Sequence, residues 1–270
     1  AARPSKFIRG VTAMDKEKEK ELVKSYLYLN AVLPQLEKII AYDAEARELT
    51  KGWNCTIQMH VPGGAGVRFV FKDGKCEAKL GAVSMPTISL RIPTPEAANK
   101  MIENTGTVIP MIWGFWNIGK LGKFMKLTKL MEKYLRPSEE DLKNKDFFEF
   151  HTRVKLMMVV YGMKAVGEHD TYVKGIVSKV PNGPMEIKVL PDGPVAHIVL
   201  DNGKFTVAKG PATDPMVVME IKDIKLAYDM LNANVELMEE LGLCRIRLRG
   251  HVGMAESLAV VMERIGLYIS

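Results

Sequence analysis

Hydrophobic positions in the second half of the chain follow strand and helix periods in turn. Residues 244–249 alternate strictly, with Cys244, Ile246 and Leu248 on one face and arginines on the other, as in a half-buried strand. Apolar residues at 253–265 recur at helical spacing. The pattern predicts strands at 185–190, 195–200, 205–209 and 216–221, a helix at 223–242, the strand at 244–249 and a helix at 253–265. We therefore expect a four-strand meander followed by helix, strand and helix.

Much of this pattern occurs twice. Residues 72–103 align without gaps over residues 201–232, with seven of 32 positions identical, where ordinary composition would give roughly two. We extend the alignment by placing 55–64 over 184–193, and 119–135 over 250–266. Near the boundary between the two copies, Pro137 ends one helix, and Ser138 with Asp141 is typical of a capping box at the start of the next. The predicted organisation is a tail at 1–13, a first domain at 14–136 and a second at 137–270, each an α+β unit with a half-buried sheet covered by helices.

Charge and apolar character concentrate in the first half. Residues 1–135 carry 21 Lys and Arg against 13 Asp and Glu, a net charge of +8, whereas residues 136–270 have a net charge of −2. The charge is either scattered surface charge or a field that attracts anions or an anionic membrane. The longest apolar run, 108–116, is about half the ~20 residues that a membrane-spanning helix needs. Three cysteines without a disulfide framework or metal spacing predict a reducing, cytoplasmic location.

The ending LGLCRIRLRGHVGMAESLAVVMERI (241–265), together with the order of elements, resembles the sterol carrier protein type-two family. The resemblance implies two copies of a five-stranded, mostly antiparallel sheet covered by helices, each enclosing an apolar tunnel for acyl chains, fatty acyl-CoA or sterols. The first copy departs from the family pattern, because Trp113, Phe115 and Trp116 stand where the alternating strand belongs. Its tunnel is either open or plugged by these aromatic side chains.

Candidate ligand-binding residues are apolar side chains of the last strand and helices of the second copy, and the aromatic segment of the first. Four of the methionines suit an adaptable cavity, although plain core is the commoner role of such residues. The candidates are Met230, Leu237, Met238, Leu241, Ile246, Leu248, Met254, Leu258, Val261, Met262, Ile265, Trp113, Phe115, Trp116, Phe124 and Met125.

The helix predicted at 119–135 has an unusually broad apolar face. Its apolar residues spread over about 220° of the helix, against about 100° in the last helix of the second copy. One sheet face cannot cover so wide an arc. The remainder must be buried by the other domain, a second subunit in a homodimer, a lipid or an anionic membrane surface. Tandem copies commonly pack on each other, whereas tryptophans beside lysines are typical of a membrane interface.

Catalytic signatures are few. The sequence has no G-x-S-x-G elbow, phosphate-binding glycine loop or paired-histidine metal motif, so we expect no cofactor and no metal. The arginines at 245, 247 and 249 are either a solvated face or a clamp for carboxylate or phosphate. No aromatic and basic signature of nucleic-acid binding occurs.

We predict a non-enzymatic carrier of a hydrophobic small molecule or lipid. A partner-binding module with collapsed tunnels, or an enzyme using His251, are the alternatives.

Overall fold

Two five-stranded sheets organise the molecule. A computed structural model describes residues 13–269, so the predicted tail 1–13 lies outside the described residues except for Ala13. The first sheet has the order β3-β2-β1-β4-β5, and its strands are β1 (Cys55–His60), β2 (Gly66–Lys72), β3 (Lys75–Leu80), β4 (Ile88–Arg91) and β5 (Met111–Trp113). Strands β1 and β4 are parallel, and the other neighbours are antiparallel.

The second sheet repeats this order. Its strands run β8-β7-β6-β9-β10, and they are β6 (Gly183–Val189), β7 (Val195–Asp201), β8 (Lys204–Lys209), β9 (Val217–Ile221) and β10 (Ile246–Gly250). Only β6 and β9 pair in parallel within this sheet. The structure thus confirms the predicted α+β class with two mostly antiparallel five-stranded sheets, while the domain limits at 14–136 and 137–270 stay a prediction.

The helices of the first half begin with a long, irregular one. Helix α1 (Ala13–Leu27) continues through a π turn (Tyr28–Val32) and a 3-10 turn (Leu33–Gln35) into α2 (Leu36–Tyr42). Pro34 lies in this irregular part and has no N–H to give to the helical ladder, which accounts for the change in winding. The remaining helices are α3 (Ala44–Thr50), α4 (Pro95–Glu103) and α5 (Ile118–Leu135), the last preceded by a 3-10 turn (Phe115–Asn117).

The second half has a similar set of helices. They are α6 (Glu139–Lys143), α7 (Lys145–His169), α8 (Thr171–Val177), α9 (Ile224–Leu231), α10 (Leu237–Gly242) and α11 (Val252–Ile269). The predicted capping box is present at the start of α6, where Ser138 and Asp141 exchange hydrogen bonds.

Each sheet has its own hydrophobic core, and the long helices contribute to both. Val23 and Leu27 of α1 lie in the core of the second sheet, whereas Phe147 of α7 lies in the core of the first. Near the other end of α7, the rings of Tyr26 and His169 stack with centroids 3.6 Å apart. The two halves therefore pack against each other through α1 and α7.

Three sequence predictions were wrong in detail. The four strands do not form a meander, because β4 and β9 lie beside β1 and β6 rather than beside the preceding strand. The helix predicted at 223–242 is two helices, α9 and α10, interrupted by a turn in which Ala233 adopts a positive φ of 54°. Cys244 is exposed and also has a positive φ, so the strand begins only at Ile246.

The alignment of 119–135 over 250–266 was also wrong. Gly114, not Gly119, occupies the place of Gly250. Gly114 directly follows the edge strand β5, Gly250 is the last residue of the edge strand β10, and both have a positive φ, 82° in Gly114 and 99° in Gly250. A Cβ atom would overlap the carbonyl oxygen of Thr87 at the first site and that of Met216 at the second. Only glycine fits so close to a neighbouring backbone.

Candidate functional site: an exposed aromatic patch

A stretch of exposed apolar side chains follows helix α4. Seven residues between 109 and 118 are exposed, which we call the aromatic patch: Ile109, Met111, Ile112, Trp113, Phe115, Trp116 and Ile118. Trp113 and Trp116 are each 63% exposed, and Phe115 is 68% exposed. Single exposed apolar residues are ordinary on protein surfaces, but a continuous stretch is typical of an interaction site.

The backbone around Gly114 places the aromatic patch at the edge of the first sheet. Strand β5 pairs with β4 on one side only, with Leu90 opposite Ile112 and Ser89 opposite Trp113. Gly114 then turns the chain into the 3-10 turn that leads to α5. Phe115 and Trp116 therefore follow the sheet edge immediately and stay in solvent, while Phe124, further along α5, is fully buried.

The aromatic rings contact one another edge-on. The centroids of Trp113 and Trp116 are 5.6 Å apart with an interplanar angle of 78°, and those of Phe115 and Trp116 are 5.3 Å apart at 70°. Such T-shaped contacts are favourable and hold the three rings as one group. The patch consequently offers a large apolar surface in a limited set of arrangements.

Unpaired lysines accompany the aromatic patch. Residues 104–131 contain four lysines, Lys120, Lys123, Lys126 and Lys129, and no Asp or Glu. None of these lysines forms an ion pair with any residue of the described range 13–269. The segment that carries the patch is therefore apolar and positively charged.

The corresponding edge strand of the second half, β10, has the same backbone pairing but exposes polar side chains. Glu220 lies opposite Arg247 and Val218 opposite Arg249, just as Arg91 lies opposite Met111 and Ser89 opposite Trp113 in the first sheet. Arg249 donates to Oε1 of Glu220 at 2.6 Å. The aromatic patch is thus a property of the first half's sequence and not of the shared fold.

The structure separates the sequence-predicted ligand residues into three groups. Ten lie together in or against the core of the second sheet: Ile246, Met254, Leu258, Val261 and Ile265 are buried, and Met230, Leu237, Leu241, Leu248 and Met262 are half-buried. Phe124 lies in the core of the first sheet. Trp113, Phe115, Trp116, Met125 and Met238 are exposed.

Clefts occur elsewhere on the surface. The largest of three has a volume of about 620 Å³ between the end of α8 and the turn after β7, and another of about 550 Å³ adjoins Asp170 and Arg264. The third, about 380 Å³, lies between the two halves and is lined by Lys38, Leu80, Tyr161, Val207 and Lys209, among others. None of the sixteen predicted ligand residues lines any of these three clefts. Their role in an internal tunnel stays a prediction.

Three of the polar residues singled out in the sequence, His251, Arg245 and Arg249, have structural partners. Nδ1 of His251 accepts a hydrogen bond from the backbone N–H of Met254 at 3.1 Å, at the start of α11. Arg245 donates to Glu240 at 2.6 Å, and all three arginines of 245–249 are exposed. Within residues 13–269, no group of three or more His, Cys, Asp or Glu side chains is placed to hold a metal ion.

The described part of the chain contains no helix that combines the length and apolar character needed to span a bilayer. No family model matches this sequence, and no curated protein matches it.

Several solved structures are similar to part of the molecule. One is the sterol carrier protein domain 2 of Helicoverpa armigera, with 21% identity over 41% of this chain and 87% of that chain, and a TM-score of 0.33. Another is the UbiJ-SCP2 ubiquinone synthesis protein, with 10% identity over 41% of this chain and 93% of that chain, and a TM-score of 0.33. The inverting sec-alkylsulfatase Pisa1 from Pseudomonas sp. matches 54% of this chain and 28% of that chain, with 11% identity and a TM-score of 0.25. At these TM-scores the likeness assigns no ligand and no activity to this chain.

Proposed function

We propose that this protein is a non-catalytic lipid-binding protein that docks on anionic membranes through the aromatic patch and takes up a hydrophobic ligand there. The observation that carries the proposal is the exposed Trp113, Phe115 and Trp116 group at the sheet edge. Tryptophan and phenylalanine partition into the boundary between head groups and acyl chains because they combine a large apolar surface with a flat, rigid shape.

The positive charge of α5 favours an anionic membrane as the partner of the aromatic patch. The four unpaired lysines on residues 118–129 of α5 complement an anionic lipid surface, and each basic residue near such a surface contributes about 1 kcal/mol. A second copy of this chain would place the same lysines against each other, which is unfavourable. An anionic bilayer therefore fits the patch better than a dimer does.

The ligand of the proposal is an acyl chain, a fatty acyl-CoA or a sterol-like lipid. Ten predicted ligand residues lie in or against the core of the second sheet, where methionines such as Met254 and Met219 have flexible side chains that can rearrange around an apolar guest. In this proposal, lipid transfer combines membrane docking by the first half with ligand binding by the second half.

The test of docking is sedimentation with vesicles. Phosphatidylcholine vesicles with and without roughly 30% phosphatidylglycerol would be mixed with the wild type and with a triple variant carrying Trp113→Ser, Phe115→Ser and Trp116→Ser. We expect the wild type to bind only the anionic vesicles and to show a blue shift of tryptophan emission. The triple variant should remain folded, since these side chains are exposed, and should not bind. Met238→Ser, which removes an exposed apolar side chain of the second half, is the matched control.

The test of ligand binding is native mass spectrometry of gently purified protein, followed by solvent extraction and lipid analysis. A stoichiometric lipid supports the carrier role. Absence of vesicle binding together with a concentration-dependent doubling of mass, abolished in the triple variant, would instead assign the aromatic patch to a dimer. Absence of any bound lipid, and of uptake from a panel of acyl chains, would remove the carrier role.

A further inference from the structure

The cleft between the two halves, here called the central cleft, combines an apolar wall with four lysines. It has a volume of about 380 Å³ and is formed by α2 with the turn before it, β3, α7 and β8. Pro34, Leu80, Phe205 and Val207 form apolar parts of its wall, and Tyr161 adds an aromatic ring. Its size lies within the range of small-molecule sites, which are concave and mostly apolar with a few placed polar groups.

Three of the four lysines in the central cleft have a carboxylate of their own, whereas the fourth does not. The pairs are Lys79 with Glu77 at 3.0 Å, Lys164 with Glu168 at 2.7 Å and Lys209 with Glu37 at 2.9 Å. Lys38 is half-buried and forms no hydrogen bond or ion pair with any residue in the described range. The central cleft therefore holds one surplus positive charge, and it belongs to Lys38.

The surroundings of Lys38 disfavour its charge. Burial lowers the pKa of Lys38 to about 8; the nearby Lys209 and Arg153 act in the same direction, and Glu37 opposes them. Glu37 is already engaged, since it accepts from Lys209 and from the backbone N–H of Ala78 at 2.9 Å. A buried ammonium without a counterion is costly, and an anion beside it would remove that cost.

We propose that the central cleft binds an oxyanion, the carboxylate or phosphate group of a small molecule, through the ammonium of Lys38. The apolar wall at Leu80 and Val207 suits the body of an organic acid, so the same chemistry can come from a fatty acid or from free phosphate. This site is separate from the aromatic patch, and its existence does not depend on membrane docking.

The experiment is calorimetric titration of the full chain with inorganic phosphate and, separately, with octanoate. We expect saturable binding of at least one probe with a Kd below about 1 mM. Lys38→Gln should weaken it at least about tenfold, the usual effect of losing a hydrogen bond between charged groups. Lys38→Arg should retain binding, because the charge remains. Lys155→Gln is the control. Lys155 is also half-buried, but it lies in α7 and is bonded to Asn232 outside the central cleft, so this variant should bind like the wild type.

The pH dependence gives a second readout that a merely structural lysine would not show. Octanoate affinity should fall as the pH rises from about 7 to about 9, because Lys38 loses its proton in this range, and the Lys38→Arg protein should show no such fall. The other charged or titratable groups around the central cleft are Tyr161, Lys79, Lys164, Lys209, Glu37, Glu77, Arg153 and Glu168. Binding of phosphate alone points to a phosphorylated or inorganic ligand, and binding of octanoate alone to an organic acid. Absence of saturable binding for both probes, or unchanged binding in a folded Lys38→Gln protein, overturns the proposal.

Discussion

The hydroxyl of Tyr268, near the end of α11, donates a hydrogen bond to Oδ2 of Asp170 at 2.7 Å. The same oxygen accepts from Arg264, and Oδ1 accepts from the backbone N–H of Val173 at 3.0 Å. Asp170 lies between α7 and α8 and is fully buried. The carboxylate of Asp170 thus caps α8 and also links α11, through Tyr268 and Arg264, to the junction between α7 and α8.

The first half contains the same contact between a tyrosine and a capping aspartate. Tyr134 of α5 donates to Oδ2 of Asp43 at 2.6 Å, and Oδ1 of Asp43 accepts from the backbone N–H of Ala46 at 2.8 Å. Burial, followed by the hydrogen bond to Asp43, raises the pKa of Tyr134. Leu130 stands four residues before Tyr134, where the second half has Arg264 four residues before Tyr268, so Asp43 has no equivalent arginine. The contact is shared by both halves, and the ion pair is particular to the second.

We predict that Tyr268→Phe and Tyr134→Phe each lower the free energy of unfolding by about 1–3 kcal/mol, because each leaves a buried or half-buried carboxylate oxygen with one donor fewer. Urea denaturation followed by circular dichroism measures the change. Tyr172→Phe is the control, since Tyr172 is exposed and its ring, not its hydroxyl, faces Arg264. A loss no larger than that of the control would show that these hydroxyls contribute nothing to stability.

Asp170 should make stability depend on pH in the acid range. Burial alone would raise the pKa of Asp170, but the hydrogen bonds from Val173, Tyr268 and Arg264 outweigh it and hold the pKa below its ordinary value. A carboxyl group with a lowered folded-state pKa stabilises the protein above its unfolded-state pKa of about 3.9, and this stabilisation is lost as the pH falls through the folded-state pKa.

We therefore predict that Asp170→Asn costs about 3 kcal/mol near neutral pH and flattens the decline of stability below about pH 4. Unfolding free energies measured by urea titration at several pH values between about 3 and 7 would show both effects. Asp192→Asn, at an exposed turn, should reproduce the wild-type pH profile. An unchanged acid slope in Asp170→Asn would contradict the assignment.

Local signals made parts of the fold predictable from the sequence. The neighbouring strands at 185–190 and 195–200 and the capping box at Ser138 each depend on a few neighbouring residues, and each was predicted. The pairing of β4 with β1 was missed because strand neighbours are chosen by contacts distant in sequence. The interval from Gly114 to the buried Phe124 is two residues longer than the interval from Gly250 to its counterpart, the buried Leu258. This difference in length displaced the alignment of the last helices.

The sites were predictable to different degrees. The apolar run at 108–116 was evident in the sequence, but such a run is equally typical of core, and only the structure shows Trp113 and Trp116 in solvent. Lys38 gave no signal, because its isolation results from the meeting of α2, β3, α7 and β8, which are distant in sequence.

We predict that Gly114→Ala and Gly250→Ala are each strongly destabilising, by more than about 2 kcal/mol, because a Cβ atom would overlap a backbone carbonyl oxygen at a positive φ. Gly119→Ala and Gly122→Ala are the matched controls. Both lie in α5 with open space around the added methyl group, and alanine there should stabilise the helix by about 0.5–1 kcal/mol. Thermal unfolding of the four variants would decide the matter, and equal effects at Gly114 and Gly119 would remove the structural equivalence of Gly114 with Gly250.

The lysines of α5 should determine how membrane binding depends on salt and lipid charge. We predict that Lys123→Gln and Lys126→Gln each weaken binding to phosphatidylglycerol-containing vesicles by about 1 kcal/mol, or roughly fivefold, and that the double variant shows a shallower decline of affinity with added salt. Both lysines are exposed and unpaired within the described residues, so their removal should leave the fold unchanged. Lys222→Gln, an exposed lysine of the second half, controls for the loss of a positive charge as such. If the Lys222 variant lost as much affinity as the α5 variants, net charge and not the basic segment beside Trp113 and Trp116 would account for binding to anionic vesicles.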